Sequence, residues 1–97
     1  MDYDVRIVKP GTDELVDIDA CLAFSIAEHE LINRIIPGNI HGLHGRLVSE
    51  TLSLLSHALS EAEQEENSDE TCSALSYLIV LGERFTGGEW RTDSMIV

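Results

Sequence analysis

The sequence predicts a mainly all-α fold, a three-helix antiparallel bundle-like domain with a short N-terminal strand, completed by dimerisation. Two observations lead there: apolar residues recur at helical spacing through most of the chain, and Pro/Gly and acidic stretches divide those runs into three. A third is size, because 97 residues make one domain. At this length about 60 to 65% of the unfolded surface is buried on folding, so a second chain would help a small core. With 43% hydrophobic residues, the chain is expected to fold rather than stay disordered.

Residues 1–11 read as an extended arm. "YDVRIVK" at 3–9 alternates weakly and ends at Pro10-Gly11, which marks a strand and then a turn. "ELVDI" fits either a second strand closing a hairpin or the opening of a helix, and the helix is favoured, with Thr12 or Asp17 as its cap. The first helix is expected over 17–36, where Ala20, Phe24, Ala27, Leu31 and Ile35 share a face opposite Asp19, Glu30 and Arg34. Pro37-Gly38-Asn39 stops it, since proline cannot continue the hydrogen-bond ladder.

The stretch "GNIHGLHGRLVSETLSLLSHALSEAE" at 38–63 joins a glycine-rich half to a helical one. On a helical wheel Leu47, Val48, Leu52, Leu54, Leu55, Ala58 and Leu59 span roughly 160°, enough to pack against two neighbours, and Ile40 and Leu43 extend the arc backwards. The second helix is therefore expected over 40–62. Opposite the arc, Gly42, Gly45, Ser49, Ser53, Ser56 and Ser60 share a sector of roughly 80°. One reading of this stripe is close approach of another helix, by analogy with membrane helix crossings, since glycine inside a helix costs about 0.5 to 1 kcal/mol. The other is a solvated serine face, with "NIHGLHG" a loop and the helix starting near Gly45 or Arg46.

The acidic run "EAEQEENSDE" at 61–70 repels itself and links this helix to a third, expected over 68–86. Asn67 or Ser68 is its cap, and Asn67 with Glu70 has capping-box spacing. Its "YLIVL" is apolar nearly all round, which marks the central element. Gly87-Gly88 ends it and opens a tail, 87–97, with the lone tryptophan Trp90 and the apolar Met95-Ile96-Val97. The tail is expected to dock on its own domain or on the dimer mate, its end adding as an edge strand beside "VRIVK".

The charge, −12 from 18 acidic and 6 basic residues, repels phosphate backbones and argues against direct nucleic-acid binding. It favours a basic partner surface. No apolar run reaches the roughly 18 residues that span a bilayer, and "MDYDVRIVKP" does not read as a leader, so a cytoplasmic chain is expected and no membrane partner. Cys21 and Cys72 have no C-x-x-C spacing and read as two buried free thiols. His41 and His44 form a His-x-x-His pair that His57 cannot join on one helix. His29 could join it, but a zinc site needs three or four ligands and no motif supplies the rest, so no metal is assigned. The acidic run lacks the alternation and glycine of a calcium loop. No catalytic motif is present, and no cofactor or enzymatic activity is expected.

In size, charge and helix content the chain is similar to small bacterial or phage antagonists: anti-activators of transcription factors, toxin-immunity proteins and anti-CRISPR proteins. The missing chemistry, the small core and the small-residue stripe point the same way, to a non-enzymatic inhibitor that binds another protein through helix faces, and three helices with more apolar surface than one chain of this size can cover predict a homodimer. Its expected contact residues are Gly42, Gly45, Ser49, Ser53, Ser56, Leu52, Leu55, Leu59 and Trp90. Two alternatives remain: an acidic nucleic-acid mimic, and a histidine-based metal or pH sensor.

Overall fold

A computed structural model of the chain describes residues 2–25 and 30–95. Strand β1 (Asp2–Val8) is followed by strand β2 (Cys21–Ser25), helix α1 (Glu30–Ile35), a 3-10 turn (Asn39–Leu43), helices α2 (Val48–Ala62) and α3 (Asp69–Arg84), and strand β3 (Glu89–Met95). The fold mixes α and β. A three-stranded antiparallel sheet of order β2-β1-β3 carries the helices on one face, so the expected all-α bundle is not formed.

The correction starts at the first helix. Residues 21–25, expected to be helical, pair as β2 with β1, Val5 facing Leu22 and Arg6 facing Cys21. Both candidate helix caps serve turns instead. Thr12 Oγ1 accepts the Glu14 amide at 3.1 Å while donating to the Lys9 carbonyl, and Asp17 Oδ1 accepts the Asp19 amide at 2.9 Å. A short oxygen-bearing side chain that bonds an amide two residues on makes a turn as readily as a cap. What decides is β1, which needs hydrogen-bond partners on both edges. Leu15 makes an isolated bridge to Val8, so neither the helix nor a full hairpin strand forms at "ELVDI". The helical pattern survives in α1, which ends at Ile35, just ahead of Pro37, as expected.

The tail supplies the other edge of β1. Strand β3 pairs with it along its whole length, from Asp2 opposite Met95 to Val8 opposite Glu89. The expected docking on the chain's own strand is thus observed, beginning at Glu89; Ile96 and Val97 lie outside the described residues. Alternation along the strands puts Val5, Ile7, Trp90 and Thr92, all 0% exposed, on the helix side. Asp4, Arg6, Glu89, Arg91 and Asp93 take the other face. There Arg6 pairs with Asp93 at 2.8 Å, and Arg91 reaches Glu89 and the Thr12 carbonyl, holding the β1–β2 connection against the sheet.

Helix α2 lies between α1 and α3, so its wide apolar arc does meet two neighbours, as expected. Val48, Leu55, Ala58 and Ala62 are fully buried, with Leu52, Leu54 and Leu59 packed against the same core. From Val48 onward that arc is covered by the chain itself, while Leu47, just ahead of the helix, is 39% exposed. The excess apolar helix surface expected to drive dimerisation is absent from it. Helices α2 and α3 cross closely at Gly82: a Cβ built there would stand 2.8 Å from Leu52 Cδ2 and 3.3 Å from the Trp90 ring. Close packing thus uses a glycine of the third helix, not those of the 42–60 stripe.

The double glycine after α3 divides its work unequally. A Cβ on Gly88 would fall 2.1 Å from Ile7 Cγ2 and 3.1 Å from the Val8 carbonyl, whereas one on Gly87 meets nothing within 4 Å. Gly88→Ala is therefore expected to cost about 1 to 3 kcal/mol through overpacking of the buried Ile7. Gly87→Ala is expected to stay within about 0.5 kcal/mol. Urea unfolding of the two variants measures the difference.

Candidate functional site

Residues 38–47 connect α1 to α2 and edge the sheet. Gly38 and Asn39 take left-handed conformations (φ 93° and 60°), which turn the chain out of α1. Gly42 sits where a Cβ would lie 2.1 Å from the Pro37 carbonyl, so only glycine fits. Gly45, at φ 79°, breaks the helical phase, and α2 begins at Val48 rather than 40. The glycines that completed the wheel stripe therefore do not share a helix with the serines.

This connection caps the outer edge of β3. The Gly45 amide donates to the Trp90 carbonyl and the Trp90 amide to the Arg46 carbonyl, both at 2.9 Å. One step further, the Thr92 amide donates to His44 Nδ1 at 3.0 Å, with the Thr92 carbonyl 3.1 Å from the same nitrogen. Nδ1 accepts from the amide in one tautomer and donates to the carbonyl in the other, so it satisfies one of the two groups in either case. The imidazole thus takes the place of a neighbouring strand. His41 stacks on it with centroids 5.5 Å apart, its own Nδ1 2.9 Å from Thr92 Oγ1. Both Nδ1 atoms serve Thr92, and among the described residues no three His, Cys, Asp or Glu side chains gather around a common point; His29 lies outside those residues.

Trp90 lies on the helix side of the same strand, fully buried, and its Nε1–H donates to Thr51 Oγ1 at 2.7 Å while Thr51 donates to the Val48 carbonyl. An indole held in this way is a core residue and offers no contact to a partner. Of the other expected contact residues, Leu55 is fully buried and Leu52 and Leu59 are half-buried in the core. Ser49, Ser53 and Ser56 are exposed on the outer face of α2, Gly45 is exposed, and Gly42 is half-buried against Pro37. Among the described residues the serines of the stripe stand exposed, with no element packed over them.

The outward face of the α2–α3 hairpin carries a different pattern. From Leu47 to Glu83 the sequence holds eight acidic residues and no lysine or arginine. Glu61, Glu63, Glu65, Glu66, Asp69 and Glu70 gather at its tip, all exposed. Asp69 and Glu70 stand in the first turn of α3, where the helix dipole favours them, but those at the end of α2 oppose its dipole. The tip is tied by Ser68, whose buried hydroxyl donates to the Ala62 or Glu65 carbonyl. Ser68 occupies the expected N-cap position of α3 but satisfies the end of α2. Tyr77 (62% exposed) and Val80 (58% exposed) face solvent further along α3. A groove of about 240 Å³ between α1 and α2 is lined by Arg34, Ile35, His57 and Glu61. Cys72 is half-buried and Cys21 exposed, both free, so the expectation of two buried thiols fails for Cys21, which lies on the outward face of β2.

Comparison with family models, curated proteins and solved structures finds no match for this chain.

Thr51→Val removes the acceptor of the buried indole N–H and is expected to cost about 1 to 3 kcal/mol, the penalty for an unpaired buried donor. Ser53→Leu on the exposed stripe is expected to change stability by less than about 0.5 kcal/mol. Thermal unfolding compares the two.

Proposed function

We propose that the chain is a small acidic, non-enzymatic interaction module that binds a basic surface of another protein and blocks it, in the manner of an anti-activator or similar inhibitor. The observation that carries this reading is the α2–α3 hairpin, with eight acidic residues against one arginine, Arg84, in the last turn of α3 and far from the acidic tip. A one-sign surface of this kind speeds encounter with an opposite field and rejects like-charged partners. Tyr77 and Val80 add an apolar centre beside it, and tyrosine is among the side chains enriched at binding hot spots. The tip places like charges at a helix end that disfavours them, a cost that fits a surface shaped for a partner rather than for stability.

Among the described residues no helix is long and apolar enough to cross a membrane, and the reading assigns the module to the cytoplasm, where its free thiols stay reduced. A partner that itself binds nucleic acid would make the module a mimic of the phosphate backbone, and competition with an oligonucleotide would reveal it.

The test is affinity capture from the native cell followed by titration of the purified partner. The quadruple variant Glu61→Gln, Glu63→Gln, Glu66→Gln, Glu70→Gln is expected to bind at least about tenfold more weakly, and salt raised from about 0.05 to 0.5 M to weaken the native chain similarly. Tyr77→Ala is expected to lower affinity at both salt levels. Binding indifferent to salt and to the quadruple variant would overturn the acidic surface as the contact.

A further inference from the structure

The two edges of the sheet are treated differently. On β3 both outward backbone groups of Trp90 are taken, by Gly45 and Arg46, and His44 Nδ1 serves one of the two at Thr92. On β2 the hydrogen-bonded positions toward β1 follow from the Ile7 amide donating to the Ala20 carbonyl at 2.9 Å. Antiparallel pairs alternate between bonded and unbonded, so with Val5 opposite Leu22 and Tyr3 opposite Phe24 the backbone groups of Leu22 and Phe24 face β1. Those of Cys21, Ala23 and Ser25 face away. No described residue pairs with them.

This edge also lacks the usual guards. "CLAFS" contains no lysine, no proline and no charge of either sign, in a chain where a quarter of the residues are charged. The turn leading into it carries Ile18, 86% exposed. The geometry points to a second copy of this chain as the occupant, β2 pairing antiparallel with β2 of its partner about a two-fold axis at Ala23. Outward groups at 21, 23 and 25 read the same in both directions. In that register Cys21 meets Ser25 of the partner subunit, Ala23 meets Ala23 of the partner subunit, and all three N–H and three C=O groups of each edge are paired. Any shifted register leaves some of them open. The product is a continuous six-stranded sheet with the helices of both copies on one face.

Net charge sets the salt response. Two chains of −12 repel, so salt strengthens this contact, whereas it weakens contact with a basic partner. The two surfaces are separate, and one can fail without the other.

The test uses Ala23→Pro. The ring removes an amide that faces away from β1, which an edge strand tolerates, so pairing within the chain is kept. Sedimentation at tens of micromolar in about 0.3 M salt is expected to show a dimer for the native chain and a monomer for the variant, with unchanged circular dichroism. Should the variant fail to fold, Cys72→Ala leaves Cys21 as the one thiol. Two Cys21 side chains then lie roughly 14 Å apart across the axis, four residues along the strand plus one strand spacing. A bismaleimide of that span is expected to join them in high yield at concentrations where the dimer forms. A native chain that stays monomeric, whether its edge is empty or takes a foreign strand, overturns the proposal, as does a dimer that survives Ala23→Pro or resists the cross-link.

Discussion

Strand β1 must be paired on both of its edges, and the rest of the fold follows from how that is achieved. Its five central and terminal positions bond β2 on one side, and its whole length bonds β3 on the other. The second pairing joins residues 2–8 to residues 89–95, so nearly the entire chain is the loop that must close first. Closure entropy grows only with the logarithm of loop length, so the cost is modest at equilibrium. Its effect is kinetic, because a ladder between distant segments forms late and slowly compared with a local helix hairpin. The helices gain a platform once the ladder exists, and Trp90 then ties that platform to α2 through Thr51.

Side chains and turns between elements act as substitutes for missing partners. His44 stands in for a strand at Thr92, the Gly88 carbonyl takes the Val48 amide at the start of α2, and Ser68 closes the end of the same helix. Each satisfies a backbone group that would otherwise be buried without a bond. These devices are concentrated on the β3 edge and around α2. The β2 edge has none among the described residues, and that asymmetry is what separates the interior of the molecule from a surface able to accept a strand.

Charge follows a similar division. The outward face of the sheet interleaves arginines with carboxylates, and Arg6 and Arg91 each hold an ion pair there through Nη2 while their Nε atoms are buried without a hydrogen bond. The exposed pair, Arg6–Asp93, contributes little to stability. The hairpin concentrates one sign over two long helices, and its field extends about a Debye length, roughly 8 Å at physiological salt. The interaction proposed for the chain belongs to the second of these surfaces.

Much of the local structure was legible in the residues. The stop at Pro37-Gly38, the helix over 69–84 and the docking of the Trp90 tail each rest on interactions within a few residues or on a simple shortage of partners for an exposed strand. From Val48 onward the apolar arc of α2 was read correctly because helical periodicity is written into the sequence itself, whereas Leu47 is exposed and Ile40 and Leu43 are buried from a separate 3-10 turn. The segment 17–25 was not, since its spacing satisfies a helix and only the open edge of β1 makes a strand the better use of it. The wheel stripe at 42–60 failed for a related reason: periodicity assumes an unbroken helix, and one glycine at positive φ, Gly45, resets the phase. The strand edge at 21–25 could not be found from the sequence while that segment was taken for a helix. Propensity and spacing, which are local, were decided by the chain alone; which of two local options was taken, and which backbone groups were left facing outward, depended on partners far away in sequence that only the tertiary structure brings into reach.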